Sequence, residues 1–594
     1  MAGIWASIGL DPCANFTSVV SHRGGERRQA CFESAAGMVC MESTYRPGGP
    51  RALADAGEWH MVFDGWLYNE TEQRTQVLRL HWPHALDSAA AVALAAFATR
   101  GEAALPGLSG CFSFVVWNAA TGEIHAVRDR FGLKPLYVYE HPRGIAFASE
   151  IKQFFQLPGS RASLDRKRCA DFLIAGVTDH STATMFERVR RVPAGGLISL
   201  SITSLRTGVC VPVFRQWYRL PVPGSIDIGE EDAVAHFREL LFAAVESQLG
   251  QSGKAALCLS GGLDSASIAG IWAAGPRAAT RPLLAFKASF GDARYDEPEL
   301  LRSVLESTGA RIHETHCGPE ESFSQLEPLI WHLDEPSARA SLAGQWLLFR
   351  LAASMQVDYT LDGQGSDEQL GGYTSMVEEH HAHRRGESFA PGASSRSVPS
   401  SGGLTWQQAQ TWLSAEFLSG SNLELGSSNG ARPRDLGSIC AHRMVFGDLP
   451  MMMRQNDRIG MAHGIETHVP FLDERVVEFS IGLGSRHKLP GQETKHLLRR
   501  AMRGLVPRLV LESRVKGSYS ALECEWLRER GWRLLVRVVR QTTATMPRVF
   551  RPEAFAAITP EQPQQAKDVL LFLWRVAVFG VWAKRFEVSQ ESAT

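Results

Sequence analysis

Hydrophobic and polar positions follow a short repeat in the first part of the chain. Short apolar runs alternate there with turn residues, as in Trp59–Phe63, Cys111–Trp117 and Glu123–Val127. One stretch, Ser88–Thr99, has helical spacing instead. Short strands that are separated by turns in this way are typical of a β-sandwich. The pattern therefore predicts a β-rich domain over residues 1–155.

The hydrophobic pattern changes near residue 229. Helical periodicity over Glu230–Gly250 is followed by an apolar strand, Ala255–Leu259, then by a glycine turn and a helix over Ser265–Ala274. A second strand, Leu283–Ala288, comes next, and a third, Asp358–Leu361, follows later in the chain. This order of strands and helices is typical of a parallel sheet covered by helices. We therefore predict an α/β domain over residues 229–594.

Two further segments connect or interrupt these domains. Residues 156–228 contain short strands and the turn Pro193–Gly196, and we predict that they connect the two domains. Residues 376–436 have little hydrophobic order, and residues 394–404 are rich in Ser, Gly and Pro. Such a composition is typical of mobile segments. We predict a mobile insertion here, which is either disordered or a lid.

Composition narrows the class of protein without indicating a reaction. Of the 594 residues, 44% are hydrophobic and 21% are charged, and the net charge is −1. These values are ordinary for a globular protein and indicate neither a nucleic-acid partner nor a membrane partner. The ten cysteines are scattered without a Cys-x-x-Cys pair, which favours reduced thiols over a zinc or redox site. Because we find no signal peptide and no apolar run that spans a bilayer, we expect a cytoplasmic protein.

The strongest chemical motif is the hexapeptide Ser260–Ser265, Ser-Gly-Gly-Leu-Asp-Ser, between a predicted strand and a predicted helix. Gly261 and Gly262 let the backbone approach phosphate oxygens closely. Successive N–H groups and the helix N-terminus bind anions, and both serines add hydroxyl donors. Asp264 can hold a magnesium ion. No Gly-Lys-Ser/Thr follows, so the motif differs from a Walker A loop.

A second glycine-rich cluster, Asp362–Glu368, leads to Gly371-Gly372-Tyr373. It follows the third predicted strand, and in a parallel sheet ligands bind beyond the carboxyl ends of the strands. We therefore predict that both clusters lie at one edge of the sheet, with Asp264 and Asp367 sharing one Mg²⁺. The alternative is that Asp367 and Glu368 form a solvated turn or a helix cap.

With these two clusters, the chain resembles the asparagine synthetase superfamily. The resemblance covers nearly the whole chain, because the motifs occur in the family's order. The matching motifs are His22–Gly24, Tyr68-Asn69, Arg128–Leu136, Phe147–Glu150, Ser260–Ser265, Asp334–Pro336, Asp362–Tyr373, Asp457-Arg458, Met461–His463, Glu466, Val469–Asp473, Glu493–Lys495, Leu498-Arg499 and Lys516-Gly517.

The resemblance implies an α/β protein with an N-terminal glutaminase-like, Ntn-type β-sandwich and a C-terminal synthetase domain of the PP-loop ATP pyrophosphatase type. It implies an AMP-forming carbon–nitrogen ligase that uses ATP and Mg²⁺. The residues that it assigns to ATP binding are Leu259, Ser260, Gly261, Gly262, Asp264, Ser265, Ala288, Asp362 and Gly363.

The N-terminal domain departs from the family pattern where glutamine would be hydrolysed. Glutamine-dependent members carry a nucleophilic cysteine directly after the initiator methionine, and this chain has Ala2. The family's Asn-Gly-Glu glutamine clamp appears as Asp64-Gly65-Trp66. Without the thiolate that chemistry stops. We therefore predict a glutaminase fold without glutaminase activity over residues 1–155.

The resemblance also points to two catalytic side chains. Glu466 matches the glutamate that removes a proton from the attacking amine in β-lactam synthetases, although Gln364 stands where those enzymes have its tyrosine partner. The alternative is that Glu466 forms a structural ion pair with Arg458 or Arg499. Lys516 matches the lysine that contacts the α-phosphate and the developing oxyanion.

These observations lead to a hypothesis on substrate and partners. The leading one is a lasso-peptide macrolactam cyclase, which adenylates an acidic side chain of a precursor peptide and closes the ring with its N-terminal amine. A leader-binding protein and a protease would then be partners. The alternatives are an ammonia-dependent or diverged asparagine synthetase, a β-lactam synthetase-like enzyme, and a silent scaffold, which intact Asp264, Asp367 and Lys516 argue against.

Overall fold

The fold is known from a computed structural model in which the chain forms two compact units. Unit 1 comprises Met1–Ala162, Ser181–Arg219 and Met452–Glu466, and unit 2 comprises Ser163–His180, Leu220–Met451 and Thr467–Thr594. The predicted connecting segment, residues 156–228, is thus shared between the two units. The residues that the structure describes are 2–10, 16, 18–34, 37–45, 52–141, 143–202, 212–250, 253–385, 403–420, 435–514, 519–564 and 566–589.

Unit 1 contains two six-stranded antiparallel sheets. Their strand orders are β10-β8-β9-β1-β3-β2 and β12-β11-β7-β6-β5-β4. The strands are β1 (Ile4–Ile8), β2 (Glu26–Ser34), β3 (Gly37–Tyr45), β4 (Leu53–Ala56), β5 (Trp59–Leu67), β6 (Gly110–Asn118), β7 (Glu123–Arg128), β8 (Tyr137–His141), β9 (Gly144–Ala148), β10 (Val189–Arg191), β11 (Gly196–Ser201) and β12 (Val213–Gln216).

Strand β6 illustrates why these residues form a layered structure. Its side chains alternate in direction, so Val115 and Trp117 enter the core that both sheets share, while Phe112 and Phe114 face the opposite side. There they pack with helix α2 (Ala89–Arg100). Burial of alternate residues on both faces explains the nearly continuous apolar run in the sequence.

Two predictions on unit 1 can be checked directly. The predicted helix over Ser88–Thr99 is confirmed as α2, whose first turn is capped by the Ser88 hydroxyl, an acceptor for the Ala91 N–H. The expectation of reduced thiols is wrong for one pair, because Cys31 and Cys40 face each other across β2 and β3 and form a disulfide. The other described cysteines are free thiols.

Unit 2 has an α/β fold with one β-sheet. Its five-stranded sheet has the order β15-β14-β13-β16-β17, and the pairs β15–β14, β14–β13 and β13–β16 are parallel. The first residue of β17 is the last residue of unit 1. The strands are β13 (Ala255–Cys258), β14 (Leu284–Ser289), β15 (Arg311–His316), β16 (Tyr359–Leu361) and β17 (Glu466–His468).

Helices account for most of unit 2, whereas α1, α2 and most of α16 in the following list belong to unit 1. Together with α2, the α-helices are α1 (Glu70–Arg79), α3 (Arg166–Ala175), α4 (Glu230–Leu249), α5 (Leu263–Ala274), α6 (Ala293–Asp296), α7 (Pro298–Thr308), α8 (Pro319–Ser324), α9 (Leu326–Leu333), α10 (Leu342–Ser354), α11 (Ser366–Leu370), α12 (Thr374–Arg384), α13 (Trp406–Trp412), α14 (Ala415–Leu418), α15 (Leu436–Phe446), α16 (Leu449–Ala462), α17 (Glu474–Gly482), α18 (His496–Ala501), α19 (Arg508–Glu512), α20 (Tyr519–Glu529), α21 (Trp532–Thr545) and α22 (Lys567–Arg585). The 3₁₀ helices are Ser18–Arg23, Gly101–Gly107, Ile151–Gln156, Pro470–Leu472, Ser485–His487 and Pro552–Phe555.

Much of the predicted insertion at 376–436 lies outside the described residues, namely 386–402 and 421–434. Its described parts contain helices α13 and α14 and most of α12. In the part of the chain that the structure describes, no helix is both long enough and apolar enough to cross a membrane.

Candidate functional site

The first loop of the site joins β13 to α5 and contains Ser260–Ser265. Leu259 is buried, and its N–H donates to the Phe286 carbonyl of β14 at 3.0 Å. The chain turns at Gly261, whose φ of +93° is a conformation that favours glycine. A Cβ there would also lie 3.0 Å from the Leu301 backbone nitrogen. A side chain at this position would therefore strain the turn.

Hydrogen bonds within the loop hold its serines in place. The Gly262 N–H donates to the Ser260 hydroxyl at 3.2 Å, and the Ser260 N–H donates to the Ser265 hydroxyl at 3.3 Å. The Ser265 hydroxyl itself donates to the Gly262 carbonyl at 3.2 Å. Asp264 lies in the first turn of α5, where the helix dipole favours negatively charged groups. The loop therefore offers the backbone shape that a phosphate-binding turn requires.

The second loop begins at Asp362, where β16 ends. Leu257 of β13 is paired with Leu361 of β16 in parallel register, so the two loops leave the sheet at the same edge. A Cβ at Gly363 would lie 2.8 Å from the Cβ of Asp264, which means that the two loops are in direct contact. The structure thus brings the two glycine-rich motifs together.

Asp362 is bound to a neighbour within its own loop. Its carboxylate accepts from the backbone N–H and from the side-chain amide of Gln364, each at 3.2 Å. Burial raises the pKa of Asp362 to about 6. The Gln364 amide has no basic atom, so this loop does not supply a base at position 364.

A lysine joins the two acidic residues of the predicted metal site. The Lys495 Nζ donates to both carboxylate oxygens of Asp264 at 2.7 Å and pairs with Oδ1 of Asp367 at 2.8 Å. Burial opposes the charge of Lys495, but the two carboxylates hold its pKa above the ordinary value. A Cβ at Gly372 would lie 1.9 Å from the Asp367 Oδ1 and 2.3 Å from the Lys495 Cε, so only glycine leaves room for this group.

These groups open on a cavity of about 360 Å³. Its size suits a small-molecule ligand, and its walls come from both glycine-rich loops and from the segment around α18. The polar and charged lining includes Ser260, Asp264, Glu297, Asp367, Glu493, Lys495, Arg499, Ser513 and Arg514. Anionic and cationic side chains therefore face one space, as the binding of a metal–polyphosphate complex requires.

Three other residues named in the sequence analysis have different positions. Ala288 lies in β14, where it is paired with Thr315. Arg499 lines the cavity, but its guanidinium donates to the carbonyls of Thr494 and Leu511 at 2.8 and 2.6 Å. Lys516 lies outside the described residues, and its predicted role stays a prediction. Sequence reasoning gave Lys495 no role, although the motif Glu493–Lys495 was the signal available.

The donor set at this edge of the sheet fits a magnesium ion that is bound together with phosphates. Mg²⁺ is usually held by one or two carboxylates plus substrate phosphates and waters. Asp264 and Asp367 share one ammonium group, so they lie close enough to share one cation. Among the described residues, no group of three or more His, Cys, Asp or Glu side chains forms a metal cage. The two carboxylates therefore suit a metal that arrives with its nucleotide.

Unit 1 contains a different charged site at the position of the missing nucleophile. The Ala2 N–H donates to the Asp64 carboxylate at 3.1 Å. The Arg23 guanidinium donates to Oδ2 of Asp64 at 3.1 Å, to Glu150 at 2.5 Å and to Asp457. Burial raises the pKa of Asp64, although Lys134 and Arg23 oppose this.

We call this site the unit 1 charge cluster and define it by eight buried side chains. Their relative exposure is 3% or less. For Glu150, burial opposes ionisation, but Lys152 and Arg458 hold its pKa well below the usual range. Four members are basic and four are acidic, so the cluster is electrically balanced. The eight are Arg23, Asp64, Lys134, Glu150, Lys152, Asp457, Arg458 and Glu466.

The position of Glu466 bears on its predicted catalytic role. It is 1% exposed, belongs to unit 1 and forms an ion pair with Lys134. The Lys134 ammonium also pairs with Asp457 at 3.2 Å. This arrangement favours the ion-pair alternative, with Lys134 as the partner in place of Arg458 or Arg499. The assignment of Glu466 as a base stays a prediction.

Comparison with known proteins gives two family matches. The asparagine synthase family matches residues 236–584, more than half of the chain. The glutamine amidotransferase domain family matches residues 9–209, a region that begins after Ala2. The two matches bear out the predicted pairing of a glutaminase-type fold with a synthetase-type α/β fold.

Several curated proteins are similar over most of the chain. A putative glutamine-hydrolysing asparagine synthetase of Mycobacterium tuberculosis is 27% identical over 519 residues, which are 81% of this chain and 77% of the relative. Glutamine-hydrolysing asparagine synthetase 1 of Bacillus subtilis is 22% identical over 568 residues, 90% of this chain and 87% of the relative. The amidase chry2 of Gibberella zeae is 25% identical over 382 residues, 60% of this chain and 54% of the relative.

Proposed function

This chain belongs to the asparagine synthase family, and we propose that it is an asparagine-synthetase-type amidating enzyme that takes free ammonia as its amine. Enzymes of this family are ATP-dependent, AMP-forming carbon–nitrogen ligases that use Mg²⁺. The class of reaction follows from membership of the family. The source of the amine and the identity of the carboxylate are the content of the proposal.

The reaction has two steps. A carboxylate oxygen of the substrate attacks the α-phosphorus of ATP, pyrophosphate leaves, and an acyl-adenylate forms. Ammonia then attacks the acyl carbon, loses a proton, and AMP leaves with the electron pair of the broken carbon–oxygen bond. Splitting the reaction in this way replaces a poor leaving group by a good one.

The chain's own residues have separate tasks in this scheme. The N–H groups and hydroxyls of Ser260–Ser265 hold the polyphosphate at the N-terminus of α5. Asp264 and Asp367 hold Mg²⁺, which when bound neutralises charge on the phosphates. Gly363 keeps the second loop against the first. Lys516, if it acts as the resemblance implies, stabilises negative charge on the reacting centre.

The observation that carries the choice of ammonia is the unit 1 charge cluster. Where glutamine-hydrolysing relatives need a thiolate, Ala2 has no nucleophile, and its N–H is bound to Asp64. Asp64 is in turn engaged by Arg23. Ala2 occupies the position of the nucleophile, and Asp64 occupies the first position of the glutamine clamp. These residues therefore do not support the hydrolysis of glutamine by this chain as the source of the amine.

A second candidate is the lasso-peptide macrolactam cyclase. It is favoured by the same loss of the nucleophile at Ala2 and by Gln364, which is bound to Asp362 and cannot act as a base. A cyclase needs no ammonia, because the attacking amine belongs to its own peptide substrate. This candidate brings a precursor peptide, a leader-binding protein and a protease as partners. The similar proteins named above are asparagine synthetases and an amidase, so ammonia is the first choice.

ATP–pyrophosphate exchange tests the proposal. Purified protein is incubated with labelled pyrophosphate, ATP, Mg²⁺ and either aspartate, another small carboxylate or candidate peptides. Exchange with aspartate, followed by asparagine formation from ammonia and not from glutamine, supports the proposal. Exchange only with peptides, with loss of one water mass from the peptide, supports the cyclase instead. The Asp264→Ala variant is the negative control in every reaction.

A further inference from the structure

Lys495 bridges the two carboxylates of the predicted metal site, a contact that the sequence motifs do not predict. Its Nζ lies 2.7 Å from both oxygens of Asp264 and 2.8 Å from Oδ1 of Asp367. The side chain is 8% exposed, and the ammonium lines the same cavity as the carboxylates. Each of these three contacts joins the ammonium to a carboxylate oxygen, so each is charge-assisted.

The backbone at Lys495 is held in an unusual conformation. Its φ is +54°, in the left-handed region that residues with a Cβ avoid. Such a conformation is unfavourable for a residue with a Cβ and persists only where its surroundings fix it. Lys495 immediately precedes α18, whose residue Arg499 donates its N–H to the Lys495 carbonyl at 3.0 Å. The ammonium is therefore aimed at the carboxylates by a rigid segment.

A divalent ion and this ammonium cannot occupy the same position. Mg²⁺ needs its oxygen ligands at about 2.0–2.1 Å, whereas the ammonium nitrogen already lies between the same oxygens at hydrogen-bond distance. Two carboxylates with one ammonium leave a net charge of −1. With the lysine in place, the pair attracts a cation only weakly, and a bound cation must displace the ammonium.

We propose that Lys495 is an internal counter-ion of the metal site. Its ammonium holds Asp264 and Asp367 together when no metal is bound and leaves them when Mg²⁺ arrives with the polyphosphate. The released ammonium then meets phosphate oxygens, which offer it new negative partners. The metal alone therefore binds weakly, and the metal together with nucleotide binds well. This inference rests on the metal assignment in the proposed function, but not on the identity of the carboxylate or the amine.

Mn²⁺ binding, measured on the full chain by electron paramagnetic resonance without nucleotide, tests the inference. Lys495→Met removes the charge and keeps much of the chain length. We expect the variant to bind Mn²⁺ at least about tenfold more tightly than the wild type, because the competing ammonium is gone. Binding of an ATP analogue with Mg²⁺, measured by calorimetry, should weaken by about tenfold, since a phosphate contact is lost.

Two further variants separate this inference from a general change of charge or of folding. Lys567→Met removes an exposed ammonium at the start of α22 that does not line the cavity, so Mn²⁺ affinity should stay within about twofold of the wild type. Lys495→Gln tests the same displacement if the methionine variant does not fold. Thermal melting establishes which variants fold.

The outcomes are distinct. The counter-ion role is supported if a Lys495 variant binds Mn²⁺ more tightly and nucleotide more weakly than the wild type while the control variant does neither. Equal or weaker Mn²⁺ binding in both lysine variants overturns it, because a merely structural lysine would not compete with the metal. Absence of Mn²⁺ and of Mg²⁺–nucleotide binding in the wild type, with no change on Asp264→Ala, overturns the metal assignment itself and with it the mechanism.

Discussion

Two groups of interacting charges among the described residues, one in each unit, differ in balance and in access. The unit 1 charge cluster pairs four basic with four acidic side chains and is almost completely buried. The cavity group of unit 2, which we define as Asp264, Asp367 and Lys495, has two carboxylates and one ammonium and opens on a cavity of about 360 Å³.

This difference separates structural charges from charges that can bind a ligand. A balanced and buried set satisfies itself and has little to gain from a ligand, while removal of one member leaves its partners unpaired. An unbalanced set beside a cavity can exchange an internal partner for an external one. The charges of unit 1 thus satisfy one another, whereas the cavity group of unit 2 can exchange Lys495 for an external cation.

The largest expected effect is in the cavity group. Asp264→Ala should reduce ATP–pyrophosphate exchange by at least about 1,000-fold, because the loss of a metal ligand removes several kcal/mol of charge stabilisation. The matched control is Asp232→Ala, an exposed carboxylate in the first turn of α4, which should leave exchange unchanged. Exchange that survives in Asp264→Ala would mean that the metal lies elsewhere.

The next effect concerns the unit 1 charge cluster. Lys134→Met leaves the buried Asp457 and Glu466 without their shared ammonium. Breaking a buried ion pair on one side costs about 3–5 kcal/mol, and we expect this fall in the free energy of unfolding by urea titration. The control is Lys567→Met, which changes an exposed lysine at the start of α22 and should leave the free energy of unfolding nearly unchanged.

A double variant sharpens the same test. Lys134→Met combined with Glu466→Gln removes one charge of each sign, and it should recover part of the lost stability. If the single lysine variant is as stable as the wild type, the cluster does not hold unit 1 together. Amide formation by Glu466→Gln in the folded protein, measured beside exchange, also decides between the two roles. Loss of the amide product with exchange retained indicates the base, because the amine loses its proton after the adenylate has formed, and retention of both rates indicates the ion pair.

Glu150 of the unit 1 charge cluster and Asp362 of the second loop should change the stability of the protein with pH in opposite directions. Glu150 has a pKa well below its usual range, so its contribution to stability is present above the unfolded-state pKa of about 4.3 and is lost as the pH falls through the folded-state value. Asp362 has a pKa raised to about 6, so stability falls as the pH rises towards 6, by at most about 3 kcal/mol. Urea titrations from about pH 2 to 7 measure both.

Matched variants assign each part of this pH dependence. Asp362→Asn should remove the loss of stability between pH 4 and 6 and leave the acid side unchanged. Glu150→Gln should lower stability at neutral pH and flatten the acid side. An Asp362→Asn profile that superimposes on the wild type would show that another group titrates in this range.

The smallest expected effect is that of restoring the nucleophile. Ala2→Cys should release no glutamate from glutamine, because Trp66 stands in the clamp and Asp64 is bound to Arg23. Glutamate release is measured with an enzyme-coupled assay and compared with the wild type. Release above that background would mean that unit 1 keeps a glutamine site that only lacks its thiol.

Local periodicity was sufficient for the elements that have apolar faces. The predicted strands over Trp59–Phe63 and Cys111–Trp117 lie in β5 and β6, and the predicted helix over Glu230–Gly250 matches α4. Strand β15, Arg311–His316, was not predicted. It is a mostly polar strand at the edge of its sheet, and each of its residues is intermediate or exposed, so it carries no hydrophobic signal.

The sequence by itself determined the family, the alanine at position 2 and the glycine turn between β13 and α5, because each depends on residue types at fixed local spacing. Only the tertiary structure decided that Lys495 bridges Asp264 and Asp367 and that Lys134 pairs with Glu466. Lys495 and Asp264 are 231 residues apart in the chain, and Lys134 and Glu466 are 332 residues apart. A charged side chain leaves no local pattern that names its partner, so the pairing appears only when the chain has folded.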